Sequence, residues 1–177
     1  MKIFIETERL ILRELSSNDD KALFELDSNP IVHKYIGKEP VSDIEFIREV
    51  IAMIQKQYLE NGIGRWAVID RKSDKFIGWS GLKLVKELTN KHINYYDLGY
   101  RFIPEYWGKG IATEAAIAIV NYGFEKMNLT EIFGMCESEN KASRKVLEKS
   151  GLKLIETFNN EGIFNDWLKI QKEDWRK

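Results

Sequence analysis

Cysteine is nearly absent: the 177-residue chain carries one, Cys136. It can form no internal disulfide, so the sequence gives no sign of an oxidising compartment, and Cys136 reads as a small buried apolar residue. Histidine is almost as scarce. His33 and His92 stand far apart with no cysteine near either, so no metal-ligand spacing is present and no metal is expected. No apolar run is long enough to span a bilayer. Acidic residues, Glu6 and Glu8, arrive before any apolar stretch of signal-peptide length. A soluble cytoplasmic protein with no membrane partner is the expectation. Charge of one sign is missing too: 27 Lys+Arg against 28 Asp+Glu leave a net charge of -1. Binding to a phosphate backbone normally shows as a basic excess, so nucleic acid is not expected as a partner. Internal repeats, low-complexity segments and linkers are also lacking.

What is present suits a folded core: 44% of residues are hydrophobic and 12% aromatic, far from a disordered profile. The length favours one domain spanning residues 1–177. A strand is expected at Arg9 to Leu15 and a short helix at Asp19 to Asp27, stopped before Pro30. Ser42 to Asn61 reads as the clearest helix, with Ser42 and Glu45 as a capping box. Ile44, Ile47, Ile51, Ile54 and Tyr58 form its apolar face, and Gly62 its stop. Strands follow at Arg65 to Asp70, Phe76 to Val85 and Ile93 to Ile103. A helix spans Ile111 to Lys126 and a strand Glu131 to Ser138. A second capped helix ends at Gly151, followed by strands at Leu152 to Phe158 and Ile163 to Gln171. The order predicts an α+β protein whose mixed, mostly antiparallel central sheet is flanked by helices.

The stretch "GYRFIPEYWGKGIATEA", Gly99 to Ala115, places two glycines where a strand meets a helix. The first backbone N–H groups of a helix have no partner within it and carry partial positive charge. An anion such as phosphate satisfies both conditions. Gly108, Gly110 and the small Ala112 would let the main chain approach it, and Thr113 adds a hydroxyl. A tight turn alone is the other reading of the same glycines. Named nucleotide motifs do not apply: the P-loop pattern is absent, and the G-x-G-x-x-G fingerprint fails at Thr113.

That stretch, together with "NKASRKVLEKSGL", resembles the GNAT N-acetyltransferase superfamily. It looks most like the branch that includes the ribosomal-protein N-terminal alanine acetyltransferases. The opening "ETERLILREL" and the closing "NDWLKIQKEDW" resemble that branch as well. The resemblance implies a GNAT-like fold with a splayed strand pair at the coenzyme site, and acetyl coenzyme A as cosubstrate. The family loop Gln/Arg-x-x-Gly-x-Gly/Ala becomes Trp107-Gly108-Lys109-Gly110-Ile111-Ala112, with tryptophan at the first position, a change common in that branch. Main-chain N–H groups from Gly108 to Thr113 would hold the pyrophosphate. Phe102 and Ile103 match the positions whose backbone pairs with the pantetheine arm. Asn140 matches an asparagine that contacts the coenzyme. Many relatives carry a tyrosine acid seven residues later, where this chain has Leu147; Ser143 stands where this branch has a serine instead.

The implied reaction is direct attack by a primary amine, a protein N-terminus or a small molecule, on the acetyl thioester. Ser143 is the expected proton donor to the leaving thiolate. Asp97 is the expected base, with a solvated or ion-paired carboxylate as the competing reading. A backbone N–H near Phe102 or Ile103 is the expected oxyanion donor. Tyr35, Trp66, Trp79, Tyr95 and Tyr96 could line an acceptor pocket, and Glu39, Asp43 and Glu87 could attract a cationic amine. The alternative function is a coenzyme-A-binding regulatory or interaction module without catalysis. Oligomeric state is open, a homodimer included.

Overall fold

The computed structural model describes residues 2–37 and 39–175. Eight strands form one sheet: β1 (Ile3–Glu6), β2 (Leu10–Arg13), β3 (Arg65–Asp70), β4 (Lys75–Val85), β5 (Tyr95–Phe102), β6 (Glu131–Glu137), β7 (Lys153–Asn160) and β8 (Ile163–Gln171). Their spatial order is β1-β2-β3-β4-β5-β6-β8-β7. All pairs are antiparallel except β5 with β6, which is parallel and holds a single partner pair, Asp97 with Phe133. The expected α+β fold with a mixed, mostly antiparallel sheet is therefore the observed one, and β5 and β6 splay apart after that pair.

Four helices cover the sheet: α1 (Asp20–Asp27), α2 (Ile44–Asn61), α3 (Ile111–Glu125) and α4 (Lys141–Lys149). Successive strand side chains point to opposite faces, and β3 shows both. Trp66 and Val68 belong to the core under α3 and α4, with Ile119 and Leu147. Ala67 and Ile69 belong to the core under α1 and α2, with Leu23, Ile47 and Ile51. A third, aromatic cluster of Tyr95, Phe133 and Trp167 closes the sheet beside β5 and β6.

Element ends follow local chemistry, with three departures from expectation. The cap of α2 is Asp43 rather than Ser42: its carboxylate accepts from the Glu45 N–H at 2.9 Å, and Glu45 turns to Arg48 instead of closing a capping box. Both residues are good caps, and the chain enters the helix one residue later. β5 begins two residues late because Asn94 takes a left-handed φ of 57°, which breaks a ladder. The edge strand β1 was not anticipated; four residues carry too little periodicity to read. Gly62 closes α2 with a left-handed φ of 69° and donates to the Tyr58 carbonyl, as its sequence position suggested.

Candidate active site

Where β5 ends, Pro104–Tyr106 makes one short 3-10 turn and the chain passes through Trp107 to Gly110 into α3. Gly108 and Gly110 have φ of 71° and 79°, in the left-handed region that glycine enters without penalty. The N–H groups of Gly108, Lys109, Gly110, Ile111, Ala112 and Thr113 have no acceptor among the described residues. The first helical bond of α3 is Glu114 N to Gly110 O at 3.0 Å. No side chain caps the helix.

The N-terminal segment braces this loop from outside. Arg9 donates to the Lys109 carbonyl at 2.9 Å and pairs with Glu114 at 2.6 Å, and the Thr7 hydroxyl donates to Glu114 at 2.6 Å. Burial alone would raise the Glu114 pKa. The hydrogen bonds from Thr7 and Arg9 outweigh it and hold the carboxyl below its usual value.

A cavity of about 610 Å³ opens at the splay. It takes lining from both faces of the sheet. From the α3–α4 face come Tyr100, Phe102, Gly108, Ala112, Asn140 and Ser143; from the α1–α2 face come Tyr35, Arg65, Trp79, Asp97 and Arg101. Strand parity explains the division: even-numbered residues of β5 face α3 and α4, odd-numbered ones the other layer. A smaller recess beside it, lined by Ile31, Lys34, Tyr35, Glu137 and Glu139 among others, shares several residues with the cavity.

The structure brings most of the expected residues to this one place and corrects others. Ile103 is turned away: its N–H donates to Ile77 O at 3.0 Å, and its side chain packs in the core under α1 and α2. Its amide is therefore spent within the sheet, which leaves Phe102 as the nearer backbone group. Trp107 lines the cavity, but its indole N–H folds back onto the Phe102 carbonyl at 2.7 Å, tethering the loop to the strand end. The Ile111 side chain is buried in the core, so it can serve the loop only through the main chain; the exposed Lys109 ammonium lies 5.7 Å from the Tyr106 ring centroid.

Asn140 caps α4, its side-chain oxygen accepting from Ser143 N at 3.0 Å. Leu147 is buried in the core and offers nothing to the cavity. Ser143 instead meets the Tyr100 hydroxyl from β5, Oγ to oxygen at 3.0 Å. Burial pushes the Tyr100 phenol well above its ordinary value. Cys136 lines the same wall, and burial pushes its thiol up to about 11, with the charge of Asp166 adding to it.

On the other face Asp97 is an ion pair. Arg65 reaches its Oδ2 at 2.5 Å and its carbonyl at 2.7 Å. Gly99 makes room for this, since a Cβ there would lie 2.5 Å from the guanidinium. Asp97 Oδ1 has no hydrogen-bond partner among the described residues. Arg101 pairs with Asp27 at 2.6 Å, and both guanidiniums lie against Trp79, 5.5 and 5.2 Å from its ring centroid. Of the five aromatics expected near an acceptor, Tyr35 and Trp79 line the cavity. Trp66, Tyr95 and Tyr96 are core packing, as aromatics on strands often are. Glu39, Asp43 and Glu87 do not line it; Asp43 is a helix cap. Sequence reasoning did not single out Arg65, Asp27 or Tyr100. Only the last carried a signal, its parity with Phe102.

Among the described residues no group of three or more His, Cys, Asp or Glu could hold a metal ion, and no helix is long and apolar enough to cross a membrane.

The sequence matches the family described as "Acetyltransferase (GNAT) domain" over residues 9–153. It is 34% identical over 165 residues to an uncharacterized N-acetyltransferase, p20, of Bacillus licheniformis, covering 93% of this chain and 87% of that one. The crystal structure of a GNAT-family acetyltransferase from Bacillus anthracis superposes with a TM-score of 0.81 at 30% identity, over 96% of this chain and 99% of that one. The ribosomal-protein-S5-alanine acetyltransferase of Vibrio fischeri shares the fold at a TM-score of 0.79 and 19% identity, with 100% of each chain covered.

Proposed function

The chain belongs to the GNAT family of acetyl-CoA-dependent N-acetyltransferases, and from that premise we propose that it transfers the acetyl group directly to a primary amine entering from the α1–α2 side of the sheet. The acceptor is a protein N-terminal α-amine, as in the ribosomal-protein branch its motifs resemble, or a small-molecule amine. One observation carries the coenzyme half of the reading: six consecutive amides from Gly108 to Thr113 are unpartnered at the mouth of α3. That is the donor array a pyrophosphate needs. The residues fit the donor substrate, whose arm would lie along the free backbone of β5 in the splay.

The residues then divide the work. The Phe102 N–H is the oxyanion donor that the corrected geometry favours. Ser143 gives its proton to the departing sulfur and regains one from solvent. Asp97 Oδ1, the free oxygen of a carboxylate fixed by Arg65, takes the proton shed by nitrogen, directly or through water. The demands are unequal. A thiol of pKa about 8.5 leaves tolerably without help, and an α-amine of about 7.7–8.0 needs less of a base than a lysine of about 10.4.

Retention on immobilised coenzyme A, followed by thiol release against a panel of peptide N-termini and small amines with intact-mass analysis of products, tests the reading. Binding together with thiol release that depends on one class of amine is expected. Binding with no turnover on any amine would replace it with a non-catalytic module. In the same assay Asp97→Asn is expected to lose rate most where the amine is mostly protonated. An unchanged pH profile would remove Asp97 as the base.

A further inference from the structure

Ser143 stands in the first turn of α4 and lines the cavity, but a serine hydroxyl on its own is a poor instrument. It turns freely about χ1 among three staggered positions, and only some of them point at a given atom. Here two neighbours narrow that freedom: the Cys136 thiol, which is within hydrogen-bonding contact of Ser143, and the Tyr100 hydroxyl. The Tyr100 hydroxyl lies 2.8 Å from the Ser143 carbonyl, to which it donates, and 3.0 Å from Ser143 Oγ. Two contacts from one phenol to one residue hold both the helix turn and the side chain it carries. Tyr100 comes from β5, the strand that borders the splay, so it sets α4 against β5 across the cavity.

We propose that Tyr100 is a positioning residue: its one proton, shared between the Ser143 carbonyl and Oγ, holds the Ser143 hydroxyl in the rotamer from which Ser143's own proton is delivered to the departing thiol. The inference rests on the transfer reading above and adds a second residue to it. As the bond from nitrogen to the acetyl carbon forms, the carbon–sulfur bond breaks and sulfur keeps the electron pair. Ser143 Oγ–H passes its proton to sulfur, and Ser143 recovers one from solvent, while nitrogen sheds its own to Asp97 or water. Tyr100 donates no proton in this sequence. Its one proton is engaged by the Ser143 oxygens, burial favours the neutral phenol, and it stays an intact hydrogen-bonding hydroxyl throughout.

The test is a double-mutant cycle on the full-length protein with acetyl-CoA and the best amine of the panel. Tyr100→Phe keeps the ring and removes one oxygen. It is expected to lower kcat about tenfold, the effect of one hydrogen bond at the reacting group, with KM for acetyl-CoA within about twofold. Ser143→Ala is expected to lower kcat without abolishing it, and Tyr100→Phe added to it to cost nothing more. An acetyl thioester of a more acidic thiol, which leaves without a proton, should shrink both deficits. Additive losses in the double variant, a Tyr100→Phe effect carried in KM alone, or a deficit indifferent to the leaving thiol would each overturn the proposal. Should Tyr100→Phe fail to fold, Tyr100→Met serves in the same cycle. A wild-type protein that binds coenzyme A but is inert to every amine overturns the transfer reading and this inference together. A wild type that turns over while Tyr100→Phe matches it overturns this inference alone.

Discussion

Trp107 shows what a single side chain can do at a site made mostly of main chain. The family pattern has glutamine or arginine at its position; here the indole N–H is spent on the Phe102 carbonyl. That bond shortens the reach between strand end and loop, and so presets where the Gly108–Thr113 amides point. Trp107→Phe keeps an aromatic ring and deletes the donor. One hydrogen bond contributes about 0.5–1.5 kcal/mol, so KM for acetyl-CoA is expected to rise about 3- to 10-fold with kcat nearly unchanged. Steady-state kinetics at saturating amine checks it; a fall in kcat alone would mean that the indole acts on the chemistry. Position 107 could be aligned to the loop from sequence, but the direction of its ring could not. That depends on a carbonyl freed only because β5 and β6 part.

At the scale of elements, α4 depends on Asn140 more than its length suggests. The helix has nine residues, too few to be stable alone. One amide of its first turn, Ser143 N–H, is answered by the Asn140 cap, and the helix is tied down by Arg144 to Asp166 at 3.1 Å. Losing such a cap costs about 1 kcal/mol, which in a chain of this size lowers the melting temperature by about 2–4 °C. Asn140→Ala is expected to do that, and to weaken acetyl-CoA binding because the same residue lines the cavity. Asn140→Asp, which keeps the cap, should restore the melting temperature. That this helix is capped was legible from the polar run before it; that Asn140 is the cap is decided by its contact with Ser143 N. At α2 the same reasoning chose Ser42 over Asp43, since two adjacent good caps look alike until the path of the chain selects one.

The whole molecule carries a pH dependence set by buried carboxylates. Burial alone would raise Asp166. The Ser138 and Thr157 hydroxyls and the Arg144 guanidinium outweigh it and hold the carboxyl below its ordinary 3.8. Burial likewise opposes, and Arg13 and Ser16 outweigh it, at Asp19, also 3.8 when unperturbed. A folded-state value below the unfolded one means stability that is present above the unfolded value and lost as pH falls through the folded one. Melting temperature is therefore expected to be insensitive to these groups above about pH 5 and to fall progressively below about pH 4. Asp166→Asn should lower the melting temperature at neutral pH and flatten the acid limb. An acid limb as steep as that of the wild type would show that Asp166 does not contribute to it.

The sequence by itself determined the kind of protein this is: strand and helix order, the glycine turn at the head of α3, the cap and serine of α4. Those are local matters of periodicity, φ preference and capping, written in neighbouring residues. Only the tertiary structure decided which groups face one another across the splay. Asp97 belongs to Arg65, Ile103 spends its amide on Ile77, and Tyr100 meets Ser143, 43 positions along the chain. The physical reason is that hydrogen bonds and ion pairs form between atoms a few ångströms apart. Strand pairing and sheet splay set that proximity, and no short stretch of sequence encodes it.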